Sequence, residues 1–139
     1  MHDIRFIRDH PEQFTAAMQR RSVSVTADEI LDIDRKRRAL QSAIQDMQSR
    51  RNAASKDIGA RKAKGEDADD LIAEVNRIKA ELPELENEEM ALAGTLDGYL
   101  LELPNILDHS VPDGVDEADN SLLRTVGTVP TFDFVPQDH

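Results

Sequence analysis

Apolar residues along this chain fall into two long periodic runs separated by a short polar break. In the first run Ile30, Ile33, Leu40, Ile44, Met47, Ala54 and Ile58 follow three- and four-residue steps, the spacing of a coiled-coil seam. Arg37, Arg51 and Arg61 fall on the same register and interrupt it. The second run is Ala68, Leu71, Val75, Ile78, Leu82, Leu85, Leu92, Leu96, Tyr99 and Leu103, interrupted by Glu89. Thr26 and Glu29 form a T-x-x-E capping box, and no proline or glycine follows until Gly59, so a long helix is predicted to start there. Gly65 suits the end of that helix and Asp67 the cap of the next, which predicts helices over 27–64 and 67–102. So short a connection makes them antiparallel. Facing seam positions then have numbers that sum to roughly 132, which sets Met47 beside Leu85 and Leu40 beside Leu92. At ~1.5 Å per residue the pair forms a finger about 55 Å long with its tip near Gly65. Pro83 predicts a kink or a locally broken hydrogen-bond ladder in the second helix, and Gly94 and Gly98 leave room for another helix to approach its base.

Outside the finger the pattern is weaker. A short helix is predicted over 9–21, with Asp9 as its cap, Pro11 in its first turn and Phe14 and Met18 on one face. Beyond Leu103 the periodicity stops, and Pro104, Pro112, Gly114, Gly127 and Pro130 punctuate an irregular tail with a strand predicted at about Leu122 to Val126. The fold class is therefore all-α: a long antiparallel two-helix coiled coil, a short N-terminal helix at its base, and an irregular C-terminal linker. Residues 1–103 form the arm and 104–139 the linker.

Charge sharpens this picture. The 139-residue chain has a net charge of −11, which by itself argues against a nucleic-acid partner. From Arg35 to Lys64, however, ten basic residues face two acidic ones, and from Glu66 to Glu102 twelve acids face Arg77 and Lys79. One helix of the finger is basic and the other acidic. With no cysteine, disulfides and thiolate chemistry are excluded, and the four histidines lack ligand-like spacing. No stretch approaches the ~20 apolar residues of a membrane span, and the opening segment does not read as a secretory signal.

Two flanking segments carry a family likeness. Met1-His2-Asp3-Ile4-Arg5-Phe6-Ile7-Arg8-Asp9-His10-Pro11-Glu12 resembles the opening of bacterial seryl-tRNA synthetases, with His2 standing where that family more often has an apolar residue. The stronger match is Leu103-Pro104-Asn105-Ile106, then His109-Ser110-Val111-Pro112, Gly114, Asp116-Glu117, Asp119-Asn120, Gly127, Phe132-Asp133-Phe134, Pro136 and Asp138-His139, which is similar to the series that joins the arm to the catalytic core in that family. The resemblance implies an arm that recognises the long variable arm and elbow of serine tRNA within a cytoplasmic homodimer, without DNA or membrane as partner. It implies a parent enzyme that attaches serine to the tRNA 3′ end using ATP and Mg²⁺. No F-R-x-E segment and no late G-x-G-x-G-x-x-R segment occurs here. The chain is thus expected to stop before the catalytic domain, to hold no cofactor or metal of its own, and to have no catalytic residue.

The candidate RNA contacts are the cations toward the outer half of the finger: Arg50, Arg51, Lys56, Arg61, Lys62 and Lys64 on the first helix, with Arg77 and Lys79 opposite. Lysine and arginine neutralise phosphates, and structured RNA is read largely through shape and backbone. Arg51 and Arg61 also have a structural explanation, since both can snorkel over the apolar seam. The competing reading of the whole run is a solvated coiled-coil face balanced by the acids of its partner, in a stand-alone helical hairpin used for protein interaction or assembly. Adjacent His109 and Ser110 lack an oxyanion cradle and are read as linker residues.

Overall fold

The structure, a computed structural model, describes residues 2–128 and 130–138; Met1 and His139, which belong to the motifs quoted above, lie outside them. The chain divides into two units, Met1–Ile106 and Leu107–His139. In the first, helices α1 (Ile4–Asp9), α2 (Pro11–Arg20), α3 (Ala27–Ala63) and α4 (Asp69–Glu102) follow one another, and α3 packs along α4. No strand occurs among the described residues of either unit.

Local chemistry accounts for each helix end. Thr26 and Glu29 form the capping box of α3, the Glu29 carboxylate accepting the Thr26 backbone N–H at 3.1 Å. At the other end Gly65 takes φ +72°, its N–H donates to the Lys62 carbonyl at 3.1 Å, and the Glu66 N–H donates to the Arg61 carbonyl at 2.9 Å. These two bonds are the Schellman closure, which satisfies carbonyls that the last turn leaves without partners. The N-cap of α4 is Ala68, which makes no side-chain cap bond, so the cap expected at Asp67 is displaced by one residue; the Asp67 carboxylate accepts the Asp69 N–H at 2.9 Å from just outside the helix.

The N-terminal region departs from the single helix predicted over 9–21. It holds two helices, and Asp9 ends the first instead of capping the second. Asp3 caps α1, its carboxylate accepting the Arg5 N–H at 2.8 Å, while α2 has His10 at its N-cap with no side-chain cap bond and starts at Pro11, as expected of a residue with no N–H to donate. The main core lies here, at the base of the finger: Ile7, Phe14, Met18, Ala27, Ile30, Leu96 and Leu100 form one buried cluster. The Thr15 hydroxyl accepts the Ala27 N–H at 3.0 Å and ties α2 to the start of α3.

Two further expectations for α4 change. Tyr99 is on the exposed side and Leu100 takes the core position, so near the base the seam runs through Leu96 and Leu100, one four-residue step. The N-terminal helices add a second packing partner there, and the apolar stripe turns to meet it. Gly94 and Gly98 are not close-approach sites, because a Cβ at either would meet nothing within 4 Å. Helix α4 continues through Pro83, which lies on an exposed position; its missing N–H takes the bond to the Lys79 carbonyl out of the ladder, the local break expected there.

The second unit contains a 3₁₀ turn, Glu117–Asp119, organised by carboxylates. Asp116 accepts the Ala118 N–H at 2.8 Å and Asp119 accepts the Val115 N–H at 2.7 Å. Gly114 is demanded by this turn, since a Cβ there would sit 2.4 Å from the Asp119 Cβ. The strand expected near Leu122 to Val126 does not form. A strand needs a ladder partner, none is present among the described residues, and Leu122, Leu123 and Val126 are exposed. Phe132 and Phe134 pack on each other with ring centroids 5.1 Å apart.

Candidate nucleic-acid interface

The finger's charges are arranged by its antiparallel register. From tip to base, Arg61 pairs with Asp70 at 2.9 Å, Arg50 with Glu74 at 2.5 Å, and Arg37 with Glu89 at 2.8 Å. Gln48 reaches Glu86 at 3.4 Å within the same order. The basic helix therefore lies along the acidic one, as the charge segregation predicts, and some of its cations are already engaged.

The two seam interruptions nearest the base find each other. Arg37 and Gln41 both donate to Glu89 Oε1, at 2.8 and 2.7 Å, in a polar layer between apolar ones. The Arg37 hydrogen bond, aided by Gln41 and opposed by partial desolvation, holds the Glu89 carboxyl below its ordinary value. A depressed carboxyl stabilises the fold above its unfolded pKa, about 4.3, and that contribution is lost as pH falls through the lower folded value. Glu89→Gln should accordingly be less stable than the parent at neutral pH, and the difference should shrink as the solution is acidified below pH ~4. Urea melts of both proteins across pH check this; a gap that stays constant into acid removes the ionised layer as its cause.

The eight predicted cations separate into held and free groups. Arg61 is held by Asp70 and by the Asp67 carbonyl at 3.3 Å, and Arg50 by Glu74. Arg51, half-buried beside the seam, donates to the Asn52 side chain at 3.3 Å. Lys56, Lys62, Lys64, Arg77 and Lys79 are exposed and make no ion pair among the described residues. Nearer the base Arg35 pairs with Asp32 and Arg37 with Glu89, leaving Lys36 and Arg38 exposed and without an ion pair among the described residues. The five free cations of the outer half come from both helices of the finger. They are spread along and around the finger, an arrangement suited to an extended polyanion and unsuited to a small anionic ligand.

Sequence reasoning missed one ionic feature of the finger's base. Arg8 grips Asp34 through two bonds, Nε to Oδ2 at 2.8 Å and Nη2 to Oδ1 at 2.9 Å, and Asp34 is only 2% exposed. The hydrogen bond to Asp34 raises the Arg8 pKa further above its ordinary value. The signal was present: Asp34 lies four residues after Ile30 and so on the buried face, where an acid needs a cation.

In the second unit Asp108 accepts both the Ser110 N–H at 2.9 Å and the Ser110 hydroxyl at 2.7 Å, and these bonds hold its carboxyl below the ordinary range. The serine proton therefore goes to a carboxylate, and His109 contacts the same carboxylate at 3.2 Å while its side chain stands in solvent. This is a turn, with no relay from serine to imidazole. Among the described residues no three His, Asp or Glu side chains gather as metal ligands, and no helix is long and apolar enough to cross a membrane.

Comparison with known proteins agrees with the geometry. The profile described as seryl-tRNA synthetase N-terminal domain matches residues 1–107. The chain is 46% identical over 139 residues to a serine–tRNA ligase of Paramagnetospirillum magneticum, covering 100% of this chain and 33% of that protein. It is 47% identical over 141 residues to that of Erythrobacter litoralis, again 100% of this chain and 33% of the relative. The chain thus spans about a third of the length of the curated relatives it matches. A crystal structure of seryl-tRNA synthetase from Pyrococcus horikoshii complexed with ATP aligns with 86% of this chain and 27% of its own, at a TM-score of 0.77 and 38% identity.

Proposed function

Given that the chain belongs to the seryl-tRNA synthetase N-terminal domain family, we propose that it is the tRNA-binding arm of a seryl-tRNA synthetase and grips the long variable arm and elbow of serine tRNA. Residues 1–103 form the arm, and 104–139 are the linker and the beginning of a catalytic domain. The parent enzyme is a cytoplasmic homodimer that uses ATP and Mg²⁺ to attach serine to the tRNA 3′ end.

The observation that carries this reading is the set of exposed cations on the outer half of the finger that make no ion pair among the described residues: Lys56, Lys62 and Lys64 on the α3 side, Arg77 and Lys79 on α4. In a chain of net charge −11, cations left without partners beside so many acids are placed for an external polyanion. Duplex-backbone contact is the natural mode, because no aromatic side chains are interleaved with them for base stacking. Arg50, Arg51 and Arg61 contribute less, since an RNA phosphate has to compete with bonds they already make.

The test is binding of the chain to serine tRNA, and to the same tRNA without its variable arm, across salt concentration. Lys56→Ala/Lys62→Ala/Lys64→Ala is expected to weaken binding and to lower the salt slope by about one for each phosphate that is no longer neutralised. Arg61→Ala should change the slope less than any one of those lysines. If deleting the variable arm and removing the three lysines both leave affinity and slope unchanged, the arm does not read tRNA through this face.

A further inference from the structure

We propose that His2 is a clasp that fixes the point at which the chain leaves the base of the finger, so that freedom of the exit segment begins only after Pro104. The His2 residue is anchored on three sides by residues distant in sequence. Its Nε2 lies 2.9 Å from the Pro104 carbonyl oxygen, its backbone N–H reaches the Leu100 carbonyl at 3.4 Å, and its ring stands edge-on to Phe14, with centroids 5.4 Å apart and planes at 90°. Phe14 is fully buried in the base cluster, so the ring is braced against the least deformable part of the unit.

A carbonyl can only accept, so Nε2 carries the proton in this contact. Both the neutral Nε2–H tautomer and the imidazolium satisfy it.

Its position gives it a role. Helix α4 ends at Glu102, Leu103 still packs on the base cluster, and the first unit ends at Ile106. Pro104 lacks an N–H and cannot tie itself to the base as a donor; among the described residues its carbonyl is the last backbone group before the unit boundary held by a side chain. An apolar residue at position 2 could fill the space beside Phe14 but could not hold that carbonyl. The consequence, which rests on the proposed arm function, follows from leverage: with a finger about 55 Å long, a tilt of about 10° at the base moves the tip by about 10 Å. Where the pivot begins thus decides how closely the finger can be aimed.

The experiment uses the full chain with no residues added before Met1. His2→Phe keeps the ring and removes the donor, and His2→Gln keeps a donor and removes the ring. In His2→Phe the backbone order parameters of Asn105, Ile106 and Leu107 are expected to fall, and proteolytic cleavage after Pro104 to speed up several-fold, while amide protection at Leu96 and Leu100 is retained. His2→Gln should restore part of the order. If His2→Phe leaves order and cleavage at parental values, the clasp is absent. In the unaltered protein the His2 ring N–H should exchange with water measurably more slowly than that of an exposed imidazole, and exchange at the free rate overturns the proposal whether or not the variants fold. These readouts do not involve RNA, so their failure is distinct from failure of the tRNA reading.

Discussion

Replacing Phe14 with alanine should cost about 3–5 kcal/mol, the largest effect of any single truncation in this chain. Phe14 is 0% exposed and sits among Ile7, Met18, Ile30 and Leu100, a cluster contributed by four different helices. Removing the ring takes away its burial and leaves a cavity that helices fixed by their own hydrogen bonds cannot close. Domain stabilities are of the order of 5–15 kcal/mol, so this loss is a large share of the total. It should also be unevenly felt. The outer finger is held by a thinner seam of Ala54, Val75, Ile78 and Leu82 that does not touch the base cluster, so amides of α1 and α2 are expected to lose far more protection than those around Ile78. Hydrogen exchange on Phe14→Ala, with Met90→Ala as a control at a 68% exposed position, checks this. Uniform loss of protection from base to tip would instead make the first unit a single cooperative block.

That division between base and finger explains which features were legible in the sequence. The finger was readable almost to the residue because its signals are local: a period of three and four, a capping box at Thr26, and Gly65 at a position that needs positive φ. The base was not, because its order comes from contacts between segments far apart in the chain. Asp9 looked like a cap by its neighbours, yet it ends α1 and α2 starts from His10 with no side-chain cap bond, since the turn between the two helices is set by packing Ile7 and Phe14 into the same cluster. Tyr99 fitted the two-helix period and lost its place to Leu100 once a third and fourth helix joined the core.

The charged residues follow the same rule. A sequence supplies their count and segregation, and the structure decides which are occupied. Arg37 and Glu89 were each visible as seam breaks, but nothing local matched them, because the register sets Arg37 opposite residue 95, and their side chains bridge an offset of about 9 Å along the helix. Likewise, Arg61 and Lys62 are equivalent cations by composition, and only the pairing of Arg61 with Asp70 separates a held charge from a free one.

The Arg8–Asp34 pair tests how far the base depends on a contact of this non-local kind. Removing the cation by Arg8→Met leaves a nearly buried carboxylate with neither of its two charge-assisted bonds, and loss of one partner of a buried pair typically costs about 3–5 kcal/mol. The expected value here is lower, about 2–4 kcal/mol, because the Arg8 side chain is 34% exposed and water can reach Asp34 from that side. Arg35 and Arg38 line the same small cleft, so either can swing in and recover part of the loss; Arg8→Met/Arg38→Met should therefore be less stable than Arg8→Met alone. Replacing both partners, Arg8→Met/Asp34→Leu, removes the desolvated charge together with its cation and should return most of the stability. A double-mutant cycle by urea unfolding separates these cases. A large loss in Arg8→Met that the second substitution repairs means that the pair matters because Asp34 is buried. Losses that simply add would mean that Arg8 acts through the packing of its stem, and that α1 is held to α3 by apolar contact alone.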